Sequence, residues 1–183
     1  MADIRIPSSD LSPVFGPKGA FMSYLTGNEL FLQAIYLPGS ISLSKVLMLY
    51  SASGTTAKTA TFEVGIYSLN GATLSLWNTA SVTVNPTANT TEWVSMGVST
   101  VSDITPGNWW IAHRVITGGN SRVHPWGFLI PSDFGNSYPG LAYMGEVDLA
   151  TNAAMPGSIA TNDVTKTGNE NSTHRWPMII LSS

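Results

Sequence analysis

Between Thr61 and Ile66 the chain alternates strictly: Phe62, Val64 and Ile66 face one way, and Thr61, Glu63 and Gly65 the other. A period of two marks a strand with one buried face, a pattern that helical geometry does not produce. Asn70-Gly71 follows, and both residues tolerate the positive φ that a two-residue hairpin turn needs. Ala72 to Trp77 reads as the returning strand, with Leu74 and Leu76 inward. The same alternation recurs through Val82 and Val84, and again through Val94, Met96 and Val98.

Further along, Pro106-Gly107 makes a turn into Asn108 to Ile116, a long run rich in aromatic and β-branched residues. Gly118-Gly119-Asn120 turns the chain into Arg122 to Ile130, and Met178 to Leu181 is suited to a buried last strand. Residues 131–172 are the least regular part, broken by Pro131, Gly135, Pro139, Gly140, Pro156, Gly157 and Gly168. Helical periodicity is missing throughout, and there is no heptad pattern or internal repeat. About eight or nine short strands with frequent turns predict an all-β fold, a single β-sandwich of jelly-roll type.

At 183 residues, one domain with one shared core is the default. Residues 1–22 stand apart as an extended N-terminal arm, and residues 23–183 form the sandwich. Pro7, Pro13 and Pro17 exclude a regular helix or central strand in the arm. Yet Ile4, Ile6, Val14 and Phe15 are apolar, which a merely solvated tail does not require. The arm therefore lies on another surface, or it wraps its own domain.

Charged residues make up only 10% of the chain, against roughly 25% in an ordinary domain. So little like-charge repulsion keeps copies apart, and association into an assembly is expected. The net charge of −3 and the scatter of the eight basic residues argue against a nucleic-acid footprint. No run approaches the roughly 18 apolar residues of a membrane span. The N-terminus has no apolar signal-peptide core, which points to synthesis in a cytoplasm.

Catalysis finds little support. Cysteine is absent and there is no G-x-S-x-G elbow, so the candidate bases His113, His124 and His174 have no recognisable nucleophile beside them. HxH and HExxH spacings are missing, which argues against zinc. Glu146 and Asp148 would share one strand face, and Asp133 and Asp163 fall in loops of the kind that hold Ca²⁺, but no EF-hand spacing supports it. The expectation is a non-enzyme with no catalytic residue, no metal and no cofactor. Asn89-Thr90-Thr91 and Asn171-Ser172-Thr173 match the glycosylation sequon and read as polar loops.

Tryptophan carries more information. Trp109 and Trp110 are adjacent in a strand, so they point to opposite faces, and at most one enters the core between two sheets. The other needs cover from a loop, a neighbouring subunit or a glycan, onto whose sugar ring an indole can stack. Trp93 lies out of phase with Val94 and Met96 and is expected to point outward as well. Trp93 and Trp110 are thus the candidate subunit or glycan contacts.

Three stretches, LFLQAIYLPGSISLSKVLML (Leu30 to Leu49), FEVGIYSLNGATLSL (Phe62 to Leu76) and ITPGNWWIA (Ile104 to Ala112), resemble a module of tailed-bacteriophage virion proteins. The closing RWPMIIL (Arg175 to Leu181) is similar to the Pro-led final strand of the same modules. Residues 131–172 lie outside the resemblance. It implies a jelly-roll-like sandwich on the outer surface of a virion, usually a homotrimer, within a family of tail-fibre, head-fibre and capsid cement modules. No catalytic residue comes with it. Without a shaft to carry it, a short arm on a compact globule fits a capsid cement (decoration) protein whose partners are the major capsid protein and itself. The alternative is a tail-fibre or receptor-binding module recognising a host glycan.

Overall fold

The computed structural model describes residues 20–21, 29–53, 59–85, 90–117, 122–130, 144–150, 153–164, 174–177 and 179–183. The expected arm contacts Ile4, Ile6, Val14 and Phe15 lie outside the described residues. Twelve strands are present among them: β1 (Ala20–Phe21), β2 (Glu29–Leu37), β3 (Ile41–Ser53), β4 (Ala60–Asn70), β5 (Thr73–Val84) and β6 (Thr91–Ile104); then β7 (Gly107–Thr117), β8 (Arg122–Ile130), β9 (Met144–Asp148), β10 (Ser158–Ala160), β11 (His174–Pro177) and β12 (Ile179–Ser182). The one helical element among them is a 3₁₀ turn, Thr161–Asp163.

The pairing is nested. β4 pairs with β5, β3 with β6, β2 with β7 and β1 with β8, all antiparallel. Two further ladders, β8 on β3 and β7 on β4, fold this long double ribbon over on itself. The result is two four-stranded sheets, β1-β8-β3-β6 and β2-β7-β4-β5, which is the jelly-roll arrangement the sequence predicts. The remaining strands extend it. β9 adds to β2 and β10 to β5, while β11 and β12 fill the fork between β8 and β3. Ala20 and Phe21, which the sequence assigns to the arm, pair with Gly127 and Trp126 as β1.

Alternation sorts the side chains as expected. Phe62, Val64 and Ile66 from β4 meet Val46, Met48, Val94 and Met96 from the other sheet in the inter-sheet core. Gly71 closes the β4–β5 hairpin at φ 60°, a conformation that costs a β-carbon-bearing residue but not glycine. Trp109 enters this core edge-on to Trp77, 5.4 Å between ring centroids.

A second core lies on the outer side of β2-β7-β4-β5. Leu30, Leu32, Tyr67, Leu74, Trp110, Ala112 and Ile159 form it, with Val147, Leu149, Met155 and Val164 packed against them. Leu74 and Leu76 are therefore oriented into this outer cluster and not between the sheets. The cause is a register shift opposite Ile66/Tyr67, where Trp77 is the extra residue and turns into the inner core.

Candidate docking face

The two sheets leave their outer faces in different states. On β2-β7-β4-β5 the chain covers itself with residues 144–150 and 153–164. Ile159 of β10 pairs beside Leu74, and backbone bonds run from Leu76 N to Gly157 O and from Thr161 N to Ala72 O, each 2.9 Å. The Tyr67 hydroxyl donates to the Pro156 carbonyl at 2.7 Å, and burial pushes its pKa well above the ordinary phenol value. Gly65 leaves the room this packing needs, because a Cβ there would stand 2.7 Å from the Tyr67 ring and 3.1 Å from Met155.

Arg114 is the polar anchor of this cover. Its guanidinium is only 1% exposed; Nε donates to Glu63 Oε2 and Nη2 to the Ala153 carbonyl. The alternation that sends Val115 into the inner core sends Arg114 out, where an unpaired charge would be costly under the covering segment. Trp110 is 5% exposed in the same cluster. Of the covers weighed for it, the chain's own loop is the one present. Trp110 is thus covered within the chain, which leaves Trp93 as the exposed one of the two.

The outer face of β3 and β6 carries no such cover among the described residues. Trp93 is 45% exposed and stands directly across the ladder from Leu49, with the next outward pairs Leu47–Ser95 and Lys45–Gly97. Leu47 and Leu49 are half-buried. The orientation of Trp93 is fixed from below: Val94 and Met96 are locked in the inner core, so the residue between Glu92 and Val94 has to face out. Beside it, the Tyr50 ring packs tilted against Phe62, 5.0 Å between centroids, and its hydroxyl donates to Glu92 Oε2 at 3.3 Å. Burial and the neighbouring Glu92 carboxylate both raise the Tyr50 pKa.

The rim of this face is also open. On the side away from β3, β6 makes a single ladder pair with β5, Ala80–Val98. Asn78 brackets that corner. Its Nδ2 donates to the Thr100 carbonyl at 2.6 Å, and its Oδ1 accepts from Ser99 Oγ at 2.7 Å and from the Thr79 amide at 2.9 Å. Beyond the bracket the strands diverge into their two sheets, and Glu92 to Gly97 have no ladder partner on that side among the described residues. The opposite rim of the molecule is different: β9 brings Glu146 and Asp148 beside Phe31 and Glu29. Desolvation, Glu29 and Asp148 together raise the Glu146 pKa, and such crowded charge discourages a further strand.

Of the histidines considered as bases, His113 is the one whose side chain is among the described residues. His113 faces the inner side, 1% exposed and 5.8 Å from the Phe31 ring, and burial lowers its pKa to about 3. Both its ring nitrogens, like Gln33 Oε1 on the neighbouring strand, have no hydrogen-bond partner among the described residues. A base sealed in this way has no access to a substrate from solvent. Among the described residues no group of three His, Asp or Glu side chains is placed to hold a metal ion. The side chains of His124 and His174, and the whole of Asp133, fall outside the described residues. No protein-family model, curated protein or solved structure matches the chain.

Proposed function

We propose that this chain is a non-enzymatic structural protein of a phage virion, a cement or decoration protein that binds the outer capsid surface and stabilises the shell. The observation that carries this reading is the outer face of β3 and β6, where Trp93, Leu47 and Leu49 have no cover among the described residues and lie beside a β6 edge without a ladder partner among them. Interfaces favour aromatic residues and few charges at their centre, and the ladder around Trp93 pairs only Leu49, Leu47 and Ser95 into that face, with Lys45 and Asp103 further along it. The apolar residues of the arm, Ile4, Ile6, Val14 and Phe15, supply a second attachment, and the scarcity of charge suits close packing of many copies.

The mechanism is mechanical. Each copy bridges neighbouring capsid subunits, adds buried area between them and raises the barrier to their separation. Mixing the full chain with undecorated shells should give co-sedimentation at a copy number comparable to the shell lattice, together with a higher melting temperature of the particle. Quantitative mass spectrometry of virions should give the same ratio to the major capsid protein. A handful of copies per particle would move the protein to the tail.

One observation favours a second reading. A half-exposed indole such as Trp93 offers a flat face to a sugar ring, as a receptor-binding module for a host glycan requires. In that case host polysaccharide shifts the tryptophan fluorescence of the full chain and leaves that of a Trp93→Ala variant unchanged. A cement protein gives no response in either.

A further inference from the structure

The chain carries two sheet edges of opposite character. The β9 edge is crowded with carboxylates, whereas the β6 edge from Glu92 to Gly97 carries one charge, has no ladder partner among the described residues and borders the exposed Trp93. We propose that this β6 edge receives residues 3–6 of a second copy of the chain as an added antiparallel strand, with Ile4 opposite Ser95 and Ile6 opposite Trp93. The inference rests on the interaction-surface reading above and names the partner of that surface.

The pattern of the arm matches the edge. In Asp3-Ile4-Arg5-Ile6 the two isoleucines share a face by the period of two, and that face continues the Trp93–Leu49 row of the sheet. Arg5 then lies on the other side of the added strand, diagonal to Glu92, within reach of a long side chain. Pro7 falls opposite Glu92 and ends the pairing, because it has no N–H to give to a ladder. Main-chain bonds to an open edge supply affinity and the alternate side chains supply register.

Topology favours a neighbour over the same copy. Strands alternate along β1-β8-β3-β6, so a strand antiparallel to β6 runs parallel to β1. A chain joining the two within one copy has to reverse over the full sheet between residues 7 and 20, the long crossover that parallel neighbours demand. Pro7, Pro13 and Pro17 disfavour such a reversal, and fourteen or so residues have a reach of up to about 46 Å when extended, enough to leave the domain. The contact joins one surface to a different one. Repeated around an axis, it closes a ring of copies.

The chain has no native cysteine, which makes cross-linking a clean test. Full-length Ile4→Cys and Ser95→Cys variants are mixed in equal amounts without capsids and oxidised gently. The expected product is a mixed disulfide dimer of twice the 19.5 kDa chain, formed about tenfold faster than when Ile4→Cys is mixed with Tyr36→Cys, whose position is 69% exposed on the other sheet. Adding Trp93→Glu to the Ser95→Cys copy slows the reaction about tenfold while its circular dichroism and melting curve stay those of the parent. Glu92→Lys slows it by about two- to fivefold, and Arg5→Glu in the other copy restores the rate. Equal rates at Ser95 and Tyr36, or cross-linking found only within a doubly substituted single chain, overturn the proposal. Loss of the cross-link with retained shell binding sinks this inference alone; a cross-link without shell binding sinks the capsid role alone.

Discussion

Both sheets of the sandwich bury one side in a shared apolar core, yet their outer sides are solved in different ways. The β2-β7-β4-β5 sheet turns Leu30, Leu32, Tyr67 and Trp110 outward and the chain folds back over them, held by Arg114 and the Tyr67 hydroxyl. The β3–β6 side turns Leu47, Leu49 and Trp93 outward, the two leucines half-buried and Trp93 exposed, with no covering segment among the described residues. An apolar outer face is stable alone only if something covers it. Where a chain supplies its own cover it has built structure; an outward apolar face without one among the described residues is the place to look for an interface.

Substitutions can break that comparison. The largest effect is expected at Trp110, where replacement by Ala removes the centre of the covered cluster and should cost about 4 kcal/mol in chemical denaturation. Glu63→Gln comes next, because it leaves the buried Arg114 guanidinium without its counter-charge; the carboxylate is partly solvated, so a loss of about 2 kcal/mol is expected by the same measurement. Acid should act on the inner core. His113 has its pKa lowered from 6.5 to about 3 in the folded chain, so below pH 6.5 the unfolded chain takes up a proton that the native state refuses. Stability is then unaffected above pH 6.5 and falls by about 1.4 kcal/mol per pH unit beneath it, a slope that His113→Leu should remove from urea titrations run between pH 7 and 4.

Two smaller effects sharpen the contrast. Tyr67→Phe deletes the hydroxyl bond to Pro156 and should cost about 1 kcal/mol, seen as faster amide exchange confined to residues 153–164. Trp93→Ala should change stability by no more than about 0.5 kcal/mol, since a half-exposed side chain takes little burial with it. If Trp93→Ala proved as damaging as Trp110→Ala, the bare face would be structural after all.

Much of the fold is legible in the sequence because half-buried strands write their burial into alternation. Phe62, Val64 and Ile66, and the phase of Val94 and Met96 against Trp93, lie where a period of two puts them, while the hairpin turn falls one residue later than expected, at Gly71-Ala72 with Asn70 still paired to Thr73. The opposed facing of Trp109 and Trp110 follows from the same rule. What alternation does not reveal is which outward residues acquire a cover. Val147, Leu149, Met155, Ile159 and Val164 are spaced irregularly among prolines and glycines, so the segment looks like loop while serving as a lid on Trp110. The Arg114–Glu63 pair was hidden too, because a charged residue in outward phase ordinarily meets water. Leu74 and Leu76 misled for a local reason, the bulge at Trp77, which no short-range pattern announces.

The nested pairing has a consequence for how the chain reaches this state. Asn70 meets Thr73 across a tight turn, whereas Ser51 must find Thr91, Leu37 must find Gly107 and Phe21 must find Trp126, each pair enclosing the one before. Loop-closure entropy makes the innermost hairpin the cheapest nucleus, and each later closure is shortened by those already made. Acquisition of structure is therefore expected to proceed outward from the Gly71-Ala72 turn, on the slow, millisecond-to-second scale of non-local β topologies. The β6 edge is created early on that route, before the outer strands arrive. A chain made rapidly and in excess of its partners would then carry a sticky edge while still unfinished, and inclusion bodies relieved by slow, cold expression are the expected symptom.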